Sequence, residues 1–234
     1  CLLSRGLGDV YKRQMRFSDE KVEASRNFAN KLWNASRFVH MNIDDYDVKN
    51  ELPEKLEAED KWIISTLNTY TKEIRENLDK FELGIAVQKL YDFIWDCFCD
   101  WYIELAKSRL QSEGESAQNA RQVLVWVLTK ILLLLHPFMP FITEEIWQSL
   151  PHEGETIMTQ AYPEYDEALN FPEASHEMEM VMEAIKAIRN RRAEMNVPPS
   201  RKAKVYIAAK EQKPYVNGCL LYTSDAADEE DSVD

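Results

Sequence analysis

Residues 117–150 read AQNARQVLVWVLTKILLLLHPFMPFITEEIWQSL, and the fold follows from how this stretch must be arranged. Between Val123 and Leu135 only Thr129 and Lys130 interrupt an apolar run. A helix that is apolar over most of its surface belongs at the centre of a bundle rather than on one side of it. The run falls well short of the roughly 20 residues that span a bilayer, so no membrane span is expected. His136-Pro137-Phe138-Met139-Pro140 must then break the helix, because proline lacks an amide and clashes with the preceding turn. A shorter helix follows to about residue 150.

A central helix needs neighbours, and the upstream sequence supplies them. Residues 18–41 carry apolar positions at helical spacing, with Ser18 as a candidate N-cap. Beyond an acidic linker holding Pro53, residues 58–79 place Trp62, Ile63, Leu67, Tyr70, Ile74 and Leu78 on one side. A third helix is expected over 82–110, ahead of a turn at 111–116 with Gly114. Downstream the pattern loosens over 151–172, with a possible short strand at 156–160. A helix at 175–196 and a strand-like alternation at 204–208 complete the chain. The expected fold is mainly α: a helical bundle over 15–150, then a small mixed α/β extension over 151–218.

The composition narrows the function classes. In 234 residues, 45% are hydrophobic and 29% charged, with only 6 Gly and 9 Pro, which excludes disordered, collagenous and disulfide-scaffold classes. Cys1, Cys97, Cys99 and Cys219 form no CxxC pair, so no structural metal or disulfide framework is expected and a reducing cytosol is the default. The net charge of −13 argues against a general DNA-coating protein, since bulk nucleic-acid affinity comes from excess Lys and Arg. Any nucleic-acid contact must be local.

Residues 1–14 and 219–234 lack any period. One back-translation of residues 9–14 has a reverse complement that encodes residues 219–224, Cys-Leu-Leu-Tyr-Thr-Ser. Both ends are therefore read as one DNA element in opposite orientations, similar to transposase-adapter sequence, and are set aside from the fold.

No Walker A loop, GxGxxG, HExxH or GxSxG occurs, and the four His lack partner spacing, so no catalytic residue is expected within this chain. The informative element is the first helix. Val22, Ser25, Phe28, Ala29, Leu32, Trp33, Ser36 and Val39 share one side of a helical wheel. Asn27, Lys31, Asn34 and Phe38 recur at i, i+4, i+7 and i+11 on the other, bordered by Asn30 and Arg37. An aromatic ring among amides and cations is what single-stranded nucleic acid needs: a face to stack a splayed base, amides for base edges and cations for phosphate. The competing reading has Phe38 packed under a neighbouring helix and the polar residues as a solvated face. On the third helix Asp92, Asp96, Asp100 and Glu104 recur every four residues, a row that calls for cations. Structural salt bridges are expected at the first three, while a base amino group is an alternative partner at one end of the row. Arg189, Arg191 and Arg192 head the densest basic cluster, for which phosphate binding and plain solvation stand equally.

Four runs carry a resemblance: RNFANKLWNASRF at 26–38, YDFIW to DWYIELAK across 91–107, HPFMPFITEEIW at 136–147 and RAEMNVPP at 192–199. Together they resemble the valyl-tRNA synthetase family over nearly all of 15–218. The third run is shared in weaker form by the isoleucine and leucine enzymes, whereas the first and last favour valine. The resemblance implies a class I anticodon-binding helical domain, lying after a catalytic Rossmann domain and before a coiled-coil arm. Carried over by motif, Lys31, Asn34, Arg37 and Phe38 would meet the anticodon loop, with Asn27 on the same stripe and Glu104 as an acceptor for a base amino group. Residues 19–21 depart from family forms that place an arginine there.

The parent activity so implied is ATP- and Mg-dependent, cytoplasmic charging of the tRNA for valine, with editing. Its HIGH and KMSKS signatures are absent from this chain, which implies no cofactor here. The implied partners are the anticodon stem-loop of that tRNA and the catalytic and editing domains of the same enzyme, with no membrane and no DNA. An acidic helical scaffold that binds protein is the alternative of a different class.

Overall fold

The computed structural model describes residues 19–44, 46–198 and 201. Helix α1 (Asp19–Ile43) leads through a loop to α2 (Ala58–Asp79), whose start is capped where the Asp60 carboxylate accepts the Glu57 amide at 3.1 Å. A tight turn with Phe81 at φ 59° reverses the chain into one long rod. The rod comprises α3 (Leu83–Asp92), a π-helical segment (Phe93–Tyr102) and α4 (Ile103–Leu110). Gly114, at φ 124°, opens α5 (Glu115–Leu135), and α6 (Pro140–Gln148) follows the proline break. Two 3₁₀ turns, Ile157–Thr159 and Glu167–Leu169, then precede α7 (Pro172–Glu194).

Helix α5 is the hub. Fourteen of its side chains are buried, from Ala117 to Leu135, and it touches α1, α2, α3, α4 and α6. Its polar exceptions have work to do. Arg121 is almost wholly buried, and its guanidinium donates to the carbonyls of Asn42 (2.9 Å) and Leu110 (3.4 Å) while lying 3.6 Å over the Tyr46 ring. One cation thus satisfies orphan carbonyls at the C-termini of α1 and α4 together, which favours positive charge at both helix ends. At the proline break the Thr143 hydroxyl, also buried, donates to Met139 O at 2.9 Å and lies 2.7 Å from His136 Nδ1.

The first turn of α2 is tied to the far end of the rod by a buried ionic cluster. Asp60 and Tyr102 are both 0% exposed. The Tyr102 hydroxyl donates to Asp60 at 2.7 Å, and Arg109 donates to Asp60 at 2.8 Å, to Glu59 at 3.0 Å and to both the hydroxyl and carbonyl of Ser116. Burial leads in raising the Glu59 carboxyl above the usual range, and burial with the facing Asp60 carboxylate drives the Tyr102 phenol well up.

Helix α7 packs along α2, and Met178 and Ile157 belong to the same buried cluster as Leu32 and Leu128. The short strand expected at 156–160 is instead a 3₁₀ turn, capped where Thr156 Oγ1 accepts the Met158 amide. With Pro163 and the 166–170 turn held to α2 through Arg75 and Asn68, no neighbouring strand is available to pair with it. Among the described residues there is no strand. The Ser18 cap, the 204–208 strand and both set-aside ends lie outside the described residues.

Candidate nucleic-acid interface

Helix α1 runs parallel to the rod. Phe28 stacks on Tyr91 at 4.9 Å, Tyr91 on Trp95 at 5.5 Å, and further along Arg121 joins Asn42 to Leu110. Its buried face is Phe28, Leu32, Ala35, Ser36, Val39 and Ile43. This is a rotation from the wheel expectation. Val22 and Trp33, expected inside, are 51% and 42% exposed, while Ala35 and Ile43 take their place. The rod sits on the Lys31 side of the helix and draws the contact face towards it, away from Trp33.

The expected RNA-facing stripe consequently splits in two. Asn27, Asn30, Asn34 and Arg37 are fully on the surface. Lys31 and Phe38 are only half-exposed. Phe38 packs its inner edge against the core, and its carbonyl accepts Asn42 Nδ2 at 2.8 Å. The ring is thus packed on the core while part of the residue stays exposed. Lys31 is already engaged: its ammonium meets Asp100 Oδ1 and sits 3.8 Å from the centre of the Trp95 ring.

On the rod, Asp92 accepts Gln88 Nε2 at 2.7 Å, Asp100 holds Lys31, and Glu104 pairs with Lys107 at 2.7 Å. The salt bridge expected at Asp92 is thus a hydrogen bond to an amide, one turn away on its own helix. Glu104 remains about one-third exposed, with its partner on its own helix. Asp96 lies on the surface, and burial first, then Asp100 and Asp92, push its carboxyl above the ordinary range. Lys186 of α7 opposes that rise and lies 5.7 Å over the Trp101 ring.

The three arginines of the α7 cluster have different neighbours. Arg191 pairs with Glu194 at 2.9 Å on its own helix, and Arg192 folds onto the carbonyls of Pro198 and Arg201. Arg189 lies 5.9 Å over Trp101, beside Lys186, which brings it alongside the π-helical segment. The salt bridge expected at Asp100 is met by Lys31 of α1, whereas Trp95 as the second side of that seat escaped the sequence reading. The spacing of five between Trp95 and Asp100 matches no α-helical face, and only a π-helical repeat, closing i to i+5, puts them side by side.

Among the described residues no group of three or more His, Cys, Asp or Glu side chains is gathered to hold a metal ion, and no helix is long and apolar enough to cross a membrane.

Comparison with known proteins gives the family. A family described as "Anticodon-binding domain of tRNA ligase" matches residues 60–207. The chain is similar to the valine–tRNA ligase of Bacillus cereus, 48% identical over 207 residues, covering 88% of this chain and 24% of that protein. It is likewise similar to those of Clostridium acetobutylicum, 53% identical over 203 residues (86% and 23%), and Clostridium perfringens, 50% identical over 215 residues (90% and 24%). It spans about a quarter of the length of these relatives. With a match that takes in more than half of its length, the chain belongs to the anticodon-binding domain family of tRNA ligases.

Proposed function

We propose that this chain is the anticodon-reading part of a valine–tRNA ligase, an enzyme that charges the tRNA for valine in the cytoplasm at the expense of ATP, and that it recognises the anticodon stem-loop without taking part in the chemistry. The observation that carries this reading is the surface of α1: three exposed amides, Asn27, Asn30 and Asn34, beside the exposed Arg37 and the half-exposed ring of Phe38, with Glu104 about one-third exposed on the parallel rod. Such a surface offers each element that recognition of unstacked bases requires. Phe38 presents a π-face, a contribution of about 1–3 kcal/mol per stacked base. Asn34 and Glu104 supply an amide and a carboxylate for base edges, the latter suited to the amino group of cytosine or adenine. Arg37 and Lys31 supply cations, and Arg189 with Arg191 extends the cationic surface along α7. The partner contacts that complete the enzyme, with its catalytic and editing domains, belong to this same proposal. The isoleucine and leucine enzymes are less favoured, since the relatives reported above are valine–tRNA ligases at 48–53% identity.

The test is binding of this chain to the tRNA for valine at two salt concentrations, beside the same tRNA with its middle anticodon base changed. Asn34→Ala, on the open surface, should weaken only the cognate RNA and leave the unfolding midpoint unchanged. Phe38→Ala should weaken it further, by about tenfold or more if a base stacks there. Equal binding of both tRNAs by the folded protein would defeat the reading and favour the protein-binding scaffold.

A further inference from the structure

The π-helical segment sets two Trp–Asp pairs side by side on the rod, each at a spacing of five. Trp95 and Asp100 face α1 and Trp101 faces α7, while Asp96 lies on the surface where Lys31 and, more weakly, Lys186 act on it. In an α-helix two such residues would point about 140° apart; the i to i+5 repeat of a π-helix brings them nearly above one another. The first pair holds Lys31 of α1 through both its members, whereas Lys186 of α7 lies 5.7 Å over the Trp101 ring alone.

The Lys31 seat is the more completely built. Its floor is the Trp95 ring, held in place by Tyr91 and Phe28 in a ladder of three stacked rings anchored on both helices. Its wall is Asp100, whose oxygen receives the ammonium proton. The lysine side chain is 25% exposed against 49% for the aspartate, so the cation is tucked in and its counter-charge faces out. Nearby Asp96 and Asp92 add negative charge to the rim, and burial first, with Asp100 and Asp92 after it, holds the Asp96 carboxyl above its usual range. A phosphate approaching Lys31 thus meets a site where a carboxylate already occupies the phosphate position.

From this geometry, and resting on the reading of α1 as the anticodon surface, we propose that Asp100 is a specificity-determining positioning residue that latches Lys31 on Trp95 and suppresses sequence-independent binding to the RNA backbone. Binding of any phosphate to Lys31 must first break the Asp100 pair. An RNA whose bases engage Asn34, Phe38 and Glu104 gains enough to drive that exchange, whereas one that offers only a backbone does not. The latch converts a non-selective cation into one counted only when the bases fit, a device of discrimination by competition rather than by added attraction. It also suits a chain of net charge −13, whose contact with nucleic acid must be confined to a small patch.

The experiment compares the 234-residue chain with its Asp100→Asn, Lys31→Gln and doubly substituted forms. Each is titrated with the valine anticodon stem-loop, the same loop with its middle anticodon base changed, and a uridine homopolymer of equal length, at several salt concentrations. Asp100→Asn is expected to tighten the changed loop and the homopolymer by about three- to tenfold, with a log–log salt slope steeper by about one as Lys31 gains a phosphate. The valine loop should tighten less, so the discrimination ratio falls. Lys31→Gln in the same chain should abolish the gain. Circular dichroism and the unfolding midpoint check that the half-exposed Asp100 can be changed without loss of fold.

Unchanged binding of the homopolymer and the changed loop by Asp100→Asn, or equal tightening of all three RNAs, would overturn the latch. The two readings fail differently. A wild-type preference for the valine loop without any Asp100→Asn effect removes the latch and keeps anticodon reading. A Lys31-dependent gain with no wild-type preference keeps the latch on backbone binding and removes both anticodon reading and the discrimination assigned to Asp100. No binding of any RNA by any form overturns both.

Discussion

Replacing Arg109 with methionine removes the cation from a cluster whose inner members, Asp60 and Tyr102, water does not reach. Asp60 and Tyr102 are 0% exposed, and the Arg109 side chain is 11% exposed. After the change Asp60 retains the Tyr102 hydroxyl and the Glu57 amide but loses its counter-charge, and Glu59 and the Ser116 carbonyl lose a donor. Breaking one side of a buried ion pair costs about 3–5 kcal/mol, because the remaining charge stays desolvated without compensation. Domains commonly have about 5–15 kcal/mol in total, so the loss is a large share of the stability. With a urea dependence of about 2 kcal/mol per molar, the midpoint should fall by about 2 M. Urea unfolding followed by far-UV circular dichroism reads this directly. A second arm removes both charges, Asp60→Leu with Arg109→Met, and should recover only part of the loss: the orphaned Asp60 charge is gone, while Glu59 and the Tyr102 hydroxyl still lack their partners. A loss below about 1 kcal/mol in Arg109→Met, the size found for exposed pairs, would refute the assignment of this cluster as the clamp between α2 and the rod.

Three further outcomes follow from the geometry. Leu128→Ala, at a fully buried position of α5, should cost about 2–5 kcal/mol in the same urea assay, at the upper end because α5 is packed by helices around it and the cavity has little freedom to collapse. Asp96 has a folded-state carboxyl raised above its ordinary value of 3.8 by burial and by Asp100 and Asp92. A raised acid is destabilising once ionised, so its penalty is absent below pH 3.8 and present in full above the folded-state value. Asp96→Asn should accordingly raise the melting temperature at pH 7, by the equivalent of less than about 1 kcal/mol for so exposed a group, and leave it unchanged at pH 3.5. Burial pushes the thiols of Cys97 and Cys99 up to about 12, so both should resist iodoacetamide at pH 8 in the folded chain and react on unfolding, as read by peptide mass spectrometry.

Much of the secondary structure was legible from the sequence. The expected range 58–79 coincides with α2, because Trp62, Ile63, Leu67 and Ile74 repeat at helical spacing and Lys80-Phe81 turns the chain at its end. The proline break at 137–140 and the central position of α5 were equally plain, since both follow from local chemistry and apolar content. The short strand at 156–160 was misread because alternation over five residues does not distinguish a strand from a turn that buries Ile157 alone. The stripe on α1 was found as a set of residue types, but its two most informative members proved to be partly committed elsewhere, Phe38 to the core and Lys31 to Asp100.

The sequence by itself determined the helical class, the hub helix and the choice of α1 as the face to examine. Periodicity and composition are properties of a segment, and they survive whatever the segment packs against. Only the tertiary structure decided how far α1 is rotated, which cations remain available, and that the run FIWDCFCDWY is π-helical. Its buried residues Phe93 and Phe98, and Ile94 and Cys99, repeat every five positions, a spacing that no α-helical wheel would have grouped. Packing against α1 and α2 favours that backbone, because the ladder of rings and the seat for Lys31 gain contacts that the wider turn aligns. Which face of a helix is buried, and which lysine is already paired, depend on the neighbours, and a neighbour is a tertiary fact.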